Sequence, residues 1–197
     1  MIIHDVKQNT EEWHEVRRGK FTATKIVKLF MGKSTKGYND IINRVVYERL
    51  TNKTPDSYQS KEMKRGIELE PEAIKAYELE TFNKVNTVGF VELNKDVGCS
   101  PDGLIGDDGM IQIKCPIYTT LMNYHISGKF DKDYLTQMQA ELYVTGRNRN
   151  LLYAWHPDLK PFKFIVNRDE EIMSKIKSEI NIALKEVEKR LKFMRMV

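Results

Sequence analysis

The order of hydrophobic patterns predicts an α/β or α+β domain in which helices flank a mixed central β-sheet. Three observations carry this. Helix-period segments dominate the first eighty or so residues, and a cluster of strand-like segments follows between about residues 85 and 115. The chain then returns to helices that enclose one late strand pair. The last helix, about 169–195, has the clearest pattern, with Ile172, Ile176, Ile180, Leu184, Val187, Leu191 and Met194 forming one apolar stripe.

The 197 residues fit a single domain, 1–197, with room for a substantial core. Hydrophobic and charged fractions of 41% and 30% are those of a globular protein, not a disordered one. No apolar run reaches membrane-spanning length and the N-terminus has no signal-like apolar stretch, so no membrane partner and a cytoplasmic setting are expected. The net charge of +4 permits nucleic-acid binding without arguing for it. Cys99 and Cys115 have no CxxC spacing and read as reduced thiols. The four histidines lack zinc-type spacing, and GxSxG and Walker A loops are absent. These gaps argue against a zinc enzyme, an α/β-hydrolase and an ATP-driven motor.

In chain order, residues 1–8 read as a short strand. Asn9 with Glu12 forms a candidate capping box for a helix through Trp13 to about Arg18, stopped by Gly19. Thr22 caps a second helix, Ala23 to Met31, and residues 32–37 read as a loop. A helix follows at 39–52, then a polar loop around Pro55 and a helical region from about 61 to 82, interrupted or kinked at Pro71. Strands are expected at 85–93, 97–105 and 110–115, helices at 118–127 and 131–146, and strands at 151–155 and 162–166.

The most informative stretch is 98–116. Asp107-Asp108-Gly109 is a tight-turn signal. The alternation in Met110-Ile111-Gln112-Ile113-Lys114 sends Ile111 and Ile113 into a core and Gln112 and Lys114 together to the other face. Pro101-Asp102-Gly103 precedes the hairpin closely enough to bring Asp102 beside them. An acid, an amide oxygen and an ammonium suit a hard divalent cation next to a phosphate. Lys114 there would orient water or neutralise charge on a phosphoryl oxygen.

Pro101-Asp102 followed by Gln112-Ile113-Lys114 resembles the PD-(D/E)xK nuclease signature with glutamine in the second acidic position. The longer phrase, Ser-Pro-Asp-Gly-Leu … Ile-Lys-Cys-Pro, resembles the YqaJ-type phage recombinases, the lambda exonuclease family. The resemblance implies a restriction-endonuclease-like core and extends over about residues 13–145. It implies that Glu70, in Arg65-Gly66-Ile67-Glu68-Leu69-Glu70-Pro71, is a metal-facing glutamate; by helical spacing Glu70 shares a face with Met63, Ile67, Ile74 and Tyr77. Trp13-His14-Glu15-Val16-Arg17-Arg18-Gly19 resembles the family's phosphate-gripping phrase, with Arg17 (or Arg18 in its place) and Thr24 holding a DNA phosphate. Gln137, in Tyr134-Leu135-Thr136-Gln137-Met138-Gln139, matches a glutamine that approaches the active centre.

The family pattern has glutamate where this chain has Gln112. Two explanations stand open: a natural variant, or an inactivating substitution. With that departure, the resemblance implies Mg²⁺ (or Mn²⁺) held by Asp102, Glu70, the Gln112 oxygen and the Ile113 carbonyl. It implies 5′→3′ digestion of linear double-stranded DNA from its ends, a homotrimer, and a single-strand-annealing protein as partner. Competing expectations are an end-binding protein that has lost catalysis and a nicking or structure-specific endonuclease.

Overall fold

The structure, a computed structural model, describes residues 1–55 and 60–196, so part of the polar loop expected around Pro55 lies outside the described residues. The expected sheet is present as two mixed sheets. The first has the order β1 (Ile2–His4), β4 (Phe90–Asn94), β5 (Val97–Cys99), β2 (Phe21–Thr22). The second runs β3 (Val85–Asn86), β6 (Gly103–Ile105), β7 (Gly109–Lys114), β8 (Arg149–His156), β9 (Leu159–Asn167).

The split arises because both strands expected between 85 and 105 are broken. The first breaks at Gly89, where the chain passes so close to Val6 that an added Cβ would lie 1.9 Å from its carbonyl oxygen. The second breaks at Ser100-Pro101. Proline has no amide hydrogen for a ladder, so β5 ends at Cys99 and the chain crosses to the other sheet through Asp102.

The helices depart from expectation in instructive ways. Thr10, not Asn9, caps α1 (Glu11–Arg17) by accepting from the Trp13 amide; Asn9 takes the left-handed turn before it, with φ 66°. Thr35 caps α3 (Lys36–Thr51), which therefore begins inside the expected loop, after α2 (Ala23–Leu29). Helix α4 (Lys61–Thr81) runs through Pro71 unbroken. Pro71 and Ile67 are both exposed, so water can satisfy the Ile67 carbonyl that the proline leaves without a donor. Helices α5 (Tyr118–Ser127), α6 (Lys132–Thr145) and α7 (Glu170–Met194) complete the set.

The main core joins Phe21, Ile26, Ile42, Met110, Leu142 and Leu152 to the α7 stripe, of which Ile176, Ile180 and Val187 are buried. A smaller cluster sets Ala73 and Tyr77 of α4 against Ile111, Ile113 and Tyr153. Strand β7 is therefore covered on both faces. Its parallel pairing with β8 requires a crossover, supplied by α5 and α6, and α6 covers the Gln112 face.

Gly98, on the strand leading to Asp102, abuts Phe90 so closely that an added Cβ would lie 2.1 Å from its ring. Gly98→Ala is expected to cost about 1–3 kcal/mol through overpacking, read as a lower urea midpoint at unchanged slope.

Candidate active site

Strand β6 pairs with β7 only as far as Ile111, so the same edge of β7 is open beyond it. Asp102 fills that opening. Its Oδ2 accepts from the Ile113 amide at 2.7 Å and from the Gln112 side-chain nitrogen. Among the described residues no hydrogen bond falls on Oδ1. The Ile113 carbonyl lies on the same side of the strand as its amide and opens toward this gap. Glu70 approaches from α4 and Lys114 from the end of β7, near enough for each to feel the other's charge. The Lys114 ammonium lies 5.2 Å from the Tyr134 ring centroid.

The electrostatics are those of acids drawn out of water beside too little positive charge. Burial, and then the like charge of Asp102, push Glu70 up to about 7 against the opposing pull of Lys114. Burial raises Asp102 as well, against Lys114 and the Ile113 and Gln112 donors. Among the described residues no three Asp, Glu, His or Cys side chains cluster tightly enough to cage a metal alone. Magnesium seldom needs such a cage; one or two carboxylates with waters and substrate phosphates suffice. Asp102 and Glu70 are a donor set of that kind.

Gln112 is buried, 2% exposed, because α6 closes over it. Its side-chain oxygen accepts from Gln137 Nε2 at 2.9 Å, and its nitrogen faces Asp102. The oxygen expected to face a cation is therefore turned toward α6. Gln137 also donates to Glu141 at 2.8 Å. Glu141, 1% exposed, accepts from Asn150 at 2.9 Å on its other oxygen. Burial, followed by the charge of Asp102, pushes Glu141 up to about 7. Sequence reasoning missed Glu141 and Asn150. The available signal was a carboxylate one turn beyond Gln137, between the core positions Met138 and Leu142. Gln139, by contrast, is structural: it bonds the Asn167 carbonyl and the Asp169 amide.

Arg17 and Arg18 diverge. Arg17 stacks on Trp13, with its guanidinium carbon 3.8 Å from the ring centroid, and donates to Ser100 Oγ, two residues before Asp102. Burial lowers its pKa to about 10, so it stays charged at neutral pH. Arg18 turns away to Asn52, Thr54 and Glu11. Thr24 is exposed near the start of α2, with its hydroxyl 3.2 Å from that of Thr22. Behind these residues, the buried Glu48 accepts from Lys25 at 2.7 Å and from the Gly19 amide at 2.9 Å. Burial lowers Lys25 to about 8 despite that partner.

The raised pKa of Glu70 fixes a sign. Unfolded, it ionises near 4.5; folded, near 7, so the folded chain binds more protons between those values. Its contribution to stability is complete below pH 4.5 and is lost as pH rises through 7. Without added metal, the Tm of Glu70→Gln relative to the unaltered protein is expected to increase between pH 5 and 8. A constant difference would show that Glu70 titrates normally.

Solved structures share this architecture. An alkaline exonuclease from Laribacter hongkongensis (LHK-Exo) superposes with a TM-score of 0.87 at 30% identity, covering 95% of this chain and 97% of that one. The same exonuclease in complex with dAMP gives a TM-score of 0.87 at 31% identity over the same shares. A phage-related exonuclease from Haemophilus somnus 129PT shares the fold at a TM-score of 0.71 and 16% identity, over 89% of this chain and 96% of that one. No curated protein matches. Residues 12–148, well over half of the sequence, match the YqaJ-like viral recombinase domain, and the chain belongs to that family.

Proposed function

We propose that the chain is a Mg²⁺-dependent deoxyribonuclease that shortens linear double-stranded DNA from its ends, 5′→3′, in phage-type recombination. The observation that carries this reading is the meeting of Asp102, Glu70 and Lys114 at the open edge of β7, where two acids have elevated pKa values. The kinship with alkaline exonucleases supports it.

Asp102 and Glu70 would hold the Mg²⁺ (or Mn²⁺), with the Ile113 carbonyl beside them. A bound divalent ion supplies positive charge to the phosphoryl oxygens and acidifies water in the site. Lys114 places its ammonium where negative charge grows on the scissile phosphate, and the Tyr134 ring helps to hold it there. Arg17, fixed by Trp13 and Ser100, keeps further guanidinium donors for a terminal phosphate, with the Thr24 hydroxyl as a second contact. Arg18 is committed elsewhere. A homotrimer, a single-strand-annealing partner and a cytoplasmic setting belong to the same proposal. Among the described residues no helix is long and apolar enough to cross a membrane.

The absence of an acid at position 112 favours one rival, an end-binding protein without catalysis. Linear and covalently closed circular duplexes incubated side by side with Mg²⁺ separate the readings. Shortening of the linear DNA alone is expected; cutting of both would identify an endonuclease. Salt-sensitive end binding without cleavage of either would identify the end-binding protein. Lys114→Ala should lower kcat by about a hundredfold or more, whereas Arg17→Ala should mainly raise KM for DNA ends.

A further inference from the structure

The proposed cleavage makes no use of Glu141, although it is an acid buried three hydrogen bonds behind Asp102. Both of its oxygens are met by side-chain amides: Oε1 by Gln137 and Oε2 by Asn150. Ionised, Glu141 only accepts hydrogen bonds, so each amide facing it presents nitrogen. Asn150 shows how strong that demand is. Its own oxygen is buried without a partner, the one such side-chain atom among the described residues, because its nitrogen is committed to Glu141. Gln137 spends one amide hydrogen on Glu141 and the other on the oxygen of Gln112. Gln112 then has only its nitrogen left to offer, and that nitrogen meets Asp102 Oδ2. Gln112 is thus oriented from both ends, by Asp102 directly and by Glu141 through Gln137.

We propose that Glu141 is a positioning residue: through Gln137 it turns Gln112 into a donor that fixes Asp102, so that Gln112 orients a cation ligand and is not one itself. This rests on the nuclease reading above. With Oδ2 pinned by Gln112 and the Ile113 amide, Asp102 has Oδ1 free for the cation, beside Glu70. The negative charge missing at position 112 is present at 141, behind the same face. Partners that orient a metal-binding carboxylate are typically worth ten- to a hundredfold in metal affinity.

The test is Glu141→Gln, which keeps the shape but accepts either amide direction. Mg²⁺ titrated calorimetrically into DNA-free protein should bind about tenfold more weakly than to the unaltered chain. The side-chain NH₂ signals of Gln112 in ¹⁵N NMR spectra should shift. In a Gln112→Ala background the same substitution should change Mg²⁺ affinity by much less, because the intermediary is gone. A purely structural Glu141 would cost the same in both backgrounds, and that result overturns the proposal. So does Mg²⁺ binding that is unchanged or tighter, or an undisturbed Gln112 signal. If Glu141→Gln does not fold, Gln137→Met cuts the same series and is held to the same outcomes. Should the unaltered protein bind no Mg²⁺, the nuclease reading fails, and the Gln112 signals alone then decide whether Glu141 directs the amides.

Discussion

The Asp102 carboxylate occupies the place a neighbouring strand would have taken. β5 stops at Cys99, just ahead of Pro101 with its missing amide hydrogen, and β6 stops pairing with β7 at Ile111. Without Asp102, the Ile113 amide would face the gap with no partner, and an orphaned buried donor costs about 1–3 kcal/mol. The bond from Ile113 to Asp102 satisfies that donor and ties the first sheet to the second. It also brings an acid to the end of a strand whose last residue is Lys114. The proposed chemistry sits where regular structure runs out, and the break in the ladder makes room for it.

Such a site is electrostatically unbalanced. Asp102, Glu70 and Glu141 all have raised pKa values, and Lys114 is the opposing cation common to the three. A fold selected for stability alone would replace or pair these acids, because buried like charges repel and lose hydration. Clustered, up-shifted acids in a cleft are a recurrent mark of function, though ion networks also produce them. Here the imbalance has a definite sign: a positive ligand relieves it.

Some of this was legible in the residues and some was not. The α7 stripe announced its helix, since 3.6-residue spacing records which face is covered. Alternation in β7 correctly separated Ile111 and Ile113 from Gln112 and Lys114. It did not reveal that Gln112 is buried, because alternation reports two faces without saying what covers each. In α4 the other members of the Glu70 stripe are apolar, yet Met63 and Ile67 are exposed and cover begins at Ala73. The two broken strands eluded pattern reading because a break at Gly89 or Pro101 depends on what the backbone passes, not on local preference. Glu141 was hidden for a similar reason. On a helix it looks like any surface acid until the sheet beneath it is known.

The short turn from Ser100 to Asp102 links the two halves of the proposed task. The Ser100 hydroxyl accepts from both Trp13 and Arg17, which fixes the guanidinium against the turn and the indole. Two residues later, Asp102 is fixed to β7. A terminal phosphate held by Arg17 would thus be gripped from the same rigid turn that supplies the acid at the cutting point. Pro101 stiffens the link by restricting its backbone. Burial lowers the Arg17 pKa to about 10 against the distant charge of Glu48, and its hydrogen-bond partner Ser100 is a neutral oxygen. An arginine kept charged under those conditions retains free donors in a water-poor setting, where a phosphate is bound more tightly than at an exposed side chain. Arg18, spread among Asn52, Thr54 and Glu11, has neither the isolation nor the connection to Asp102. This difference in fixation, invisible in a run of two adjacent arginines, is why the phosphate contact is proposed for Arg17 and not for Arg18.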